Sequence, residues 1–144
     1  QAMLVNKNKA SSISSFRDIN RPEIRIVSKY ATPAGELVDT FFKKAQVTLI
    51  DAPEEQSMQH LLAGKADVFV YDMPYLAVAY TEHADKLVFI ADPFTYEPFA
   101  AAFKKGNSDL LNAMNKYLST IRENGEYDRI FSYWILNSAW TDGI

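Results

Sequence analysis

Cysteine is missing altogether from these 144 residues, so disulfides, thiolate nucleophiles and cysteine-ligated metals are excluded. Histidine is scarce. His60 falls in a helical stretch and His83 in a polar loop, neither with a second histidine or a carboxylate at ligand spacing. Neither a metal nor any other cofactor is therefore expected. No apolar run reaches the length of a membrane span, since each is broken by Asp, Pro or Lys. Positive charge is in deficit, with a net charge of -3 and no basic stripe, which gives no footing for nucleic acid. A nucleophile elbow, a Ser-His-Asp set and a phosphate loop are absent too.

What is present is 48% hydrophobic and 23% charged residues, the make-up of a globular chain large enough to bury a core. Strand and helix patterns alternate. Met3 to Val5 reads as a strand, and Ile13 to Ile19 as a short helix that Asn20-Arg21-Pro22 ends. Ile24 to Val27 is a second strand, on which Arg25 is expected to meet solvent or a sheet-edge carboxylate. Pro33 to Lys44 reads as a helix with Leu37, Val38, Phe41 and Phe42 on one face. Strand Val47 to Ile50 follows, then a helix over Glu54 to Leu62 launched by Pro53 and closed by Gly64. A strand over 66–71, a helix over 73–80 and a strand at Lys86 to Ile90 complete the alternation. It predicts an α/β fold with a mainly parallel sheet and helices on both faces.

Beyond Asp92-Pro93 the texture changes. Phe99 to Phe103 is a short apolar segment, and Lys104 to Asn107 a polar turn. A long amphipathic helix then carries Leu110, Leu111, Met114, Leu118 and Ile121 inward. Asn124-Gly125 stops it, and a second helix carries Tyr127, Ile130, Phe131 and Trp134. The expected division is an α/β unit over 1–105 and an appended helical pair over 106–144.

The stretch Ala66-Asp67-Val68-Phe69-Val70-Tyr71-Asp72 is the most telling. A continuous Val/Phe run reads as a buried parallel strand, and ligands of open α/β sheets lie beyond the carboxyl ends of such strands. Asp72 stands there with its charge. It has two readings, a ligand-binding carboxylate or an N-cap for the helix that Met73-Pro74-Tyr75 opens.

Four segments together resemble the bacterial family 3 extracellular solute-binding proteins: Ser15 to Asn20; Ala31-Thr32-Pro33-Ala34-Gly35-Glu36; Leu61 to Asp72; and Asp92 to Phe99. The tail adds Lys105-Gly106-Asn107, Asn124 to Ile130 and Tyr133-Trp134, so the likeness covers nearly the whole chain in order. The resemblance implies a three-layer lobe of the type 2 periplasmic-binding-protein fold. It implies capture of an amino acid or similar small polar solute outside the cytoplasm, in the periplasm or beyond, for an ABC permease, without catalysis. It further implies that the chain holds lobe two and the C-terminal helices of lobe one, and lacks the half bearing the arginine that clamps the ligand carboxylate. No signal sequence is read in these residues, and Gln1-Ala2-Met3 reads as a cloning scar running into a start methionine.

Within the resemblance, Asp72 matches the residue that receives the ligand's α-ammonium, through a charge-assisted hydrogen bond. Thr32 lies at a helix start, whose unpaired N–H groups suit a carboxylate, and the amides of Ala34 and Gly35 are expected to be free for it. Here the chain departs from the family's Gly-Thr-Thr or Gly-Ser-Thr turn: Ala31 replaces the glycine, and Pro33 has no N–H. An ordinary Thr-Pro helix start is the other reading of Thr32. Tyr30 and Tyr75 flank these elements as pocket walls or as packing residues. Two rival functions stand beside transport. One is the sensing domain of a larger receptor. The other is a cyclohexadienyl-dehydratase-like enzyme, whose catalytic glutamate would fall where this chain has Tyr75. The apolar faces of the last two helices are expected to fold back on the first unit or to pair with a second copy in a homodimer.

Overall fold

The computed structural model describes residues 1–91 and 95–137. Along the chain run β1 (Ala2–Asn6), β2 (Arg25–Lys29), α1 (Pro33–Phe41), β3 (Gln46–Ile50), α2 (Glu54–Leu62), β4 (Val68–Tyr71), α3 (Met73–His83), β5 (Leu87–Ile90), α4 (Ser108–Glu123) and α5 (Glu126–Ile135). They fall into two compact units, residues 1–96 and 97–144.

The first unit is a five-stranded sheet in the order β3-β2-β4-β1-β5. Strands β2–β3 and β2–β4 pair in parallel, whereas β1 pairs antiparallel with both β4 and β5. Four strands thus share one direction, and β1 is the reversed one. The crossover through α1 moves outward from β2 to β3, and the crossover through α2 returns past β2 to β4. Right-handed connections therefore set α1 and α2 on opposite faces, with α3 on the face of α2. Side chains agree: Phe69 and Tyr71 meet Tyr75 of α3 edge-on, at ring separations of 6.3 and 5.5 Å, and Lys29 meets Glu54 of α2. This is the three-layer arrangement. Met3, Leu4, Ile26, Val27, Val68 and Phe69 are fully buried in the sheet, with Leu61 and Leu76 from the helices above it.

Several expectations are corrected. Residues 13–19 form no α-helix; a single 3₁₀ turn over Phe16–Asp18 is the only helical part of that range, and another occupies Ala10–Ser12. The Asp18 carboxylate accepts the backbone amides of Ser14 and Ser15, a local alternative to helical pairing. Ile13, Phe16 and Ile19 are still buried. Helix α1 stops at Phe41, which points outward at 60% exposure, and it is Phe42 that turns inward to stack on Phe16 at 6.3 Å. Ala2 and Met3 are buried β1 residues paired with Tyr71 and Val70.

In the second unit, α4 and α5 pack together, and Gly125 at φ 79° makes the left-handed turn between them. Of the five apolar residues expected inward on α4, only Ile121 is buried, and Leu110 and Leu111 are exposed. The 99–103 segment forms no regular element, and Phe99 is exposed. Asp92, Pro93 and Phe94 of the resembling segment lie outside the described residues.

Candidate functional site

Connections leave neighbouring strands β2 and β4 for opposite faces of the sheet, through α1 and α3. That divergence opens a crevice beyond their carboxyl ends, the place where open α/β sheets hold ligands. Three pieces of chain meet at this edge. They are the Tyr30–Gly35 turn after β2, Asp72 after β4, and the start of the reversed strand β1, which the Ala2–Tyr71 pairing sets beside Asp72.

Asp72 occupies the N-cap position of α3, and its backbone carbonyl takes the first helical bond from Leu76 at 3.1 Å. Its carboxylate caps nothing. Pro74, one of the first two helical residues, has no N–H to offer a cap. Asp72 Oδ1 instead accepts the side-chain amide of Gln1 at 2.9 Å. Gln1 was not anticipated as part of this edge, because the reversal of β1 leaves no mark in the residue pattern.

The turn into α1 is tightly built. The Thr32 hydroxyl donates to the Lys29 carbonyl at 2.8 Å and accepts the Gly35 amide at 3.1 Å. The Gly35 amide is consequently spent on the cap and is not free, against expectation. The Ala34 N–H has no acceptor among the described residues. A side chain at Gly35 would bring its Cβ to 2.2 Å from the Lys29 carbonyl oxygen, so only glycine fits there. Ala31, which replaces the family's glycine, takes the left-handed conformation at φ 54°, uncommon for a residue with a Cβ.

Tyr30 is 55% exposed at the lip of the crevice. Tyr75 is half-buried among Phe69 and Tyr71. Burial, and then the charges of Glu55 and Glu54, push its hydroxyl up to about 12. Beside it, Lys29 Nζ and Glu54 Oε2 form an ion pair at 2.7 Å. The mutual hydrogen bond raises the lysine above 10.5 and lowers the glutamate below 4.5. This pair, too, was missed from the sequence, since it joins the end of one strand to the start of a helix three elements later.

The opposite end of the sheet carries Asp67, 2% exposed. It accepts two bonds from the Arg25 guanidinium, at 2.7 and 3.1 Å, and the Arg25 backbone amide at 3.0 Å. Arg25 thus meets neither solvent alone nor a sheet-edge carboxylate but a buried one immediately before the central strand β4, and it lies far along the strands from Asp72. Among the described residues, no group of three or more His, Asp or Glu is placed to hold a metal ion. None of their helices is long and apolar enough to cross a membrane.

Known proteins share this chain's family pattern and fold. The model for bacterial extracellular solute-binding proteins, family 3, matches residues 1–137. The glutamine-binding protein GlnH of a Bacillus subtilis ABC transporter is 26% identical over 136 residues, covering 94% of this chain and 48% of that protein. A binding component of an ABC transporter from Wolinella succinogenes, solved with lysine, is 33% identical, with a TM-score of 0.82, over 98% of this chain and 60% of that one. An ancestral cationic amino acid solute-binding protein is 30% identical, with a TM-score of 0.81, over 93% of this chain and 57% of that one. The chain spans about half the length of that glutamine-binding protein.

Proposed function

The chain belongs to the bacterial extracellular solute-binding proteins, family 3, and on that footing we propose that its β2–β4 crevice is half of an amino-acid-binding cleft. The protein carrying it captures an amino acid outside the cytoplasm, in the periplasm or at the cell surface, and presents it to an ABC permease. The observation that carries this reading is the Asp72 carboxylate at the switch point of the sheet, which makes no cap bond, with the start of α1 after the neighbouring strand β2. Neighbouring strands lie about 4.8 Å apart, so an acceptor for an ammonium and donors for a carboxylate stand side by side, as an α-amino acid requires.

In this reading Asp72 receives the α-ammonium. The Ala34 amide and the positive end of α1 attract the carboxylate. Thr32 reaches it by turning its hydroxyl away from the Lys29 carbonyl, and Gly35 keeps the turn close-packed. Tyr30 and Tyr75 line the crevice. The other half of the cleft, including a cation for the carboxylate, comes from the remaining length that relatives possess. Residues 1–105 correspond to one lobe, and residues 106–144 to helices of the other.

Catalysis has no part in this proposal. A dehydratase of this fold would need a carboxylic acid at position 75. The Tyr75 phenol, held up to about 12, is a poor proton donor at neutral pH. The test is a thermal-shift and calorimetric screen of the full-length protein against the standard amino acids. Binding of at least one, weakened in Asp72→Asn, is the expected result. No binding to any of them would sink the proposal.

A further inference from the structure

Resting on the amino-acid reading of the crevice, we propose that Gln1 is a positioning residue of the binding site. Its amide holds one oxygen of Asp72 away from the cap of α3 and leaves the other for the ligand's ammonium. Three observations converge. The Gln1 Nε2 donor lies 2.9 Å from Asp72 Oδ1 in a partly buried setting. Asp72 holds the N-cap position yet makes no cap bond. The antiparallel pairing of Ala2 with Tyr71 fixes the neighbouring Gln1 opposite Asp72 through the backbone of a buried strand, so the contact is built into the sheet.

The chemistry explains why an amide serves here. A carboxylate beside a helix start is drawn to the unpaired N–H groups and the positive end of the dipole. With proline among the first two positions, the Tyr75 amide is the N–H a capping Asp72 would reach. Engaged there, the carboxylate would turn its charge toward the helix instead of the crevice. A lysine or arginine at position 1 could also hold Asp72, but would cancel the charge that attracts an ammonium. A neutral amide orients the carboxylate and leaves its charge in place. No donor meets Asp72 Oδ2 among the described residues.

The test uses the full-length protein with Gln1→Ala and with Gln1→Met, which keeps side-chain length but has no donor. Both are titrated calorimetrically with L-lysine, L-arginine and L-glutamine, and hydrogen exchange at the Tyr75 amide is followed without ligand. Loss of a hydrogen bond to a charged group should weaken binding about tenfold in either variant. Exchange at Tyr75 should slow as Asp72 falls into the cap, a change that a merely structural role for Gln1 would not produce. In an Asp72→Asn background, the Gln1 substitutions should have little further effect on affinity. Unchanged or tighter binding in Gln1→Met, with Asp72→Asn still impaired, overturns the positioning role. Additive losses in the double variant overturn it as well. If Asp72→Asn binds as the parent does, or none of the three amino acids binds, the cleft reading itself fails and takes this inference with it.

Discussion

At residue scale, Asp72 and Ala31 show what one position can hold. Asp72→Asn keeps the shape and a good capping residue, so the fold should persist. Removing the charge should weaken amino-acid binding by about 2 kcal/mol or more, the scale for losing one partner of a desolvated charge pair. Calorimetry on the full-length protein reads this directly, and equal affinity would reduce Asp72 to a structural residue. Ala31 presents the reverse case. A residue with a Cβ at φ 54° stores about 1–2 kcal/mol of steric strain, whereas glycine would restore about 0.5–1 kcal/mol of unfolded-state freedom. Ala31→Gly should therefore stabilise the protein by roughly 0.5–1 kcal/mol, seen as a higher urea midpoint. A lower midpoint would mean that the turn is not strained. The strand-end position of Asp72 was legible in the sequence because a Val/Phe run ending on Asp has few other meanings. The spent Gly35 amide was not, since a Thr at a helix start can turn its hydroxyl toward its own backbone or away from it. Gln1 was hidden for a different reason: its place depends on strand direction, which alternation of apolar residues does not encode.

Among the elements, β2 and β4 are locked at the end remote from the crevice by Arg25 and Asp67. Burial pushes the Asp67 carboxyl up, but the Arg25 guanidinium and backbone amide outweigh it and hold the group below its usual 3.8. A carboxyl depressed on folding stabilises the native state above its unfolded pKa and loses that contribution as pH falls through the folded value. The wild-type chain should thus lose this share of its stability only below pH 3.8. Arg25→Ala reverses the balance by leaving a buried, unpaired carboxylate, at a cost of about 3 kcal/mol near neutral pH. Burial then raises the folded pKa, so the variant's deficit should shrink as acid protonates Asp67. Urea unfolding of both proteins across the acid range checks this, and a deficit independent of pH would show that Arg25 acts by packing alone. Element boundaries were read well wherever proline or glycine marked them, as at Pro33, Pro53 and Gly64. They were misread at 13–19, where Ser14, Ser15 and Asp18 bond to the backbone locally and compete with a helix. Helix α1 ends at Phe41, and the buried aromatic position is filled by Phe42 at its C-cap, not by Phe41 within it.

Taken whole, the molecule has two units of different character. The first buries its apolar residues in a sheet covered on both faces, while the second leaves Leu110, Leu111, Tyr117, Tyr127, Tyr133, Trp134 and Leu136 exposed, each at 37% or more. Full burial of one such side chain is worth roughly 1.5–3 kcal/mol, and contiguous apolar surface on a helix pair marks an interface. In the full-length protein the proposed occupant of this surface is the part that relatives possess and this chain does not. For the 144 residues alone, a second copy offers the same apolar face, and a two-fold contact is self-complementary. The isolated chain should therefore self-associate in a concentration-dependent way, and Leu110→Glu with Leu111→Glu should return it to a monomer with the first unit still folded. The same chain should bind amino acids weakly, because the proposed half-cleft has no facing half in these residues to close over a ligand and exclude water. Sedimentation and calorimetry on the parent and the double-glutamate variant separate the two effects. A parent that stays monomeric at high concentration removes the second copy as occupant. A parent that binds an amino acid at low micromolar strength shows that this crevice alone makes a complete site.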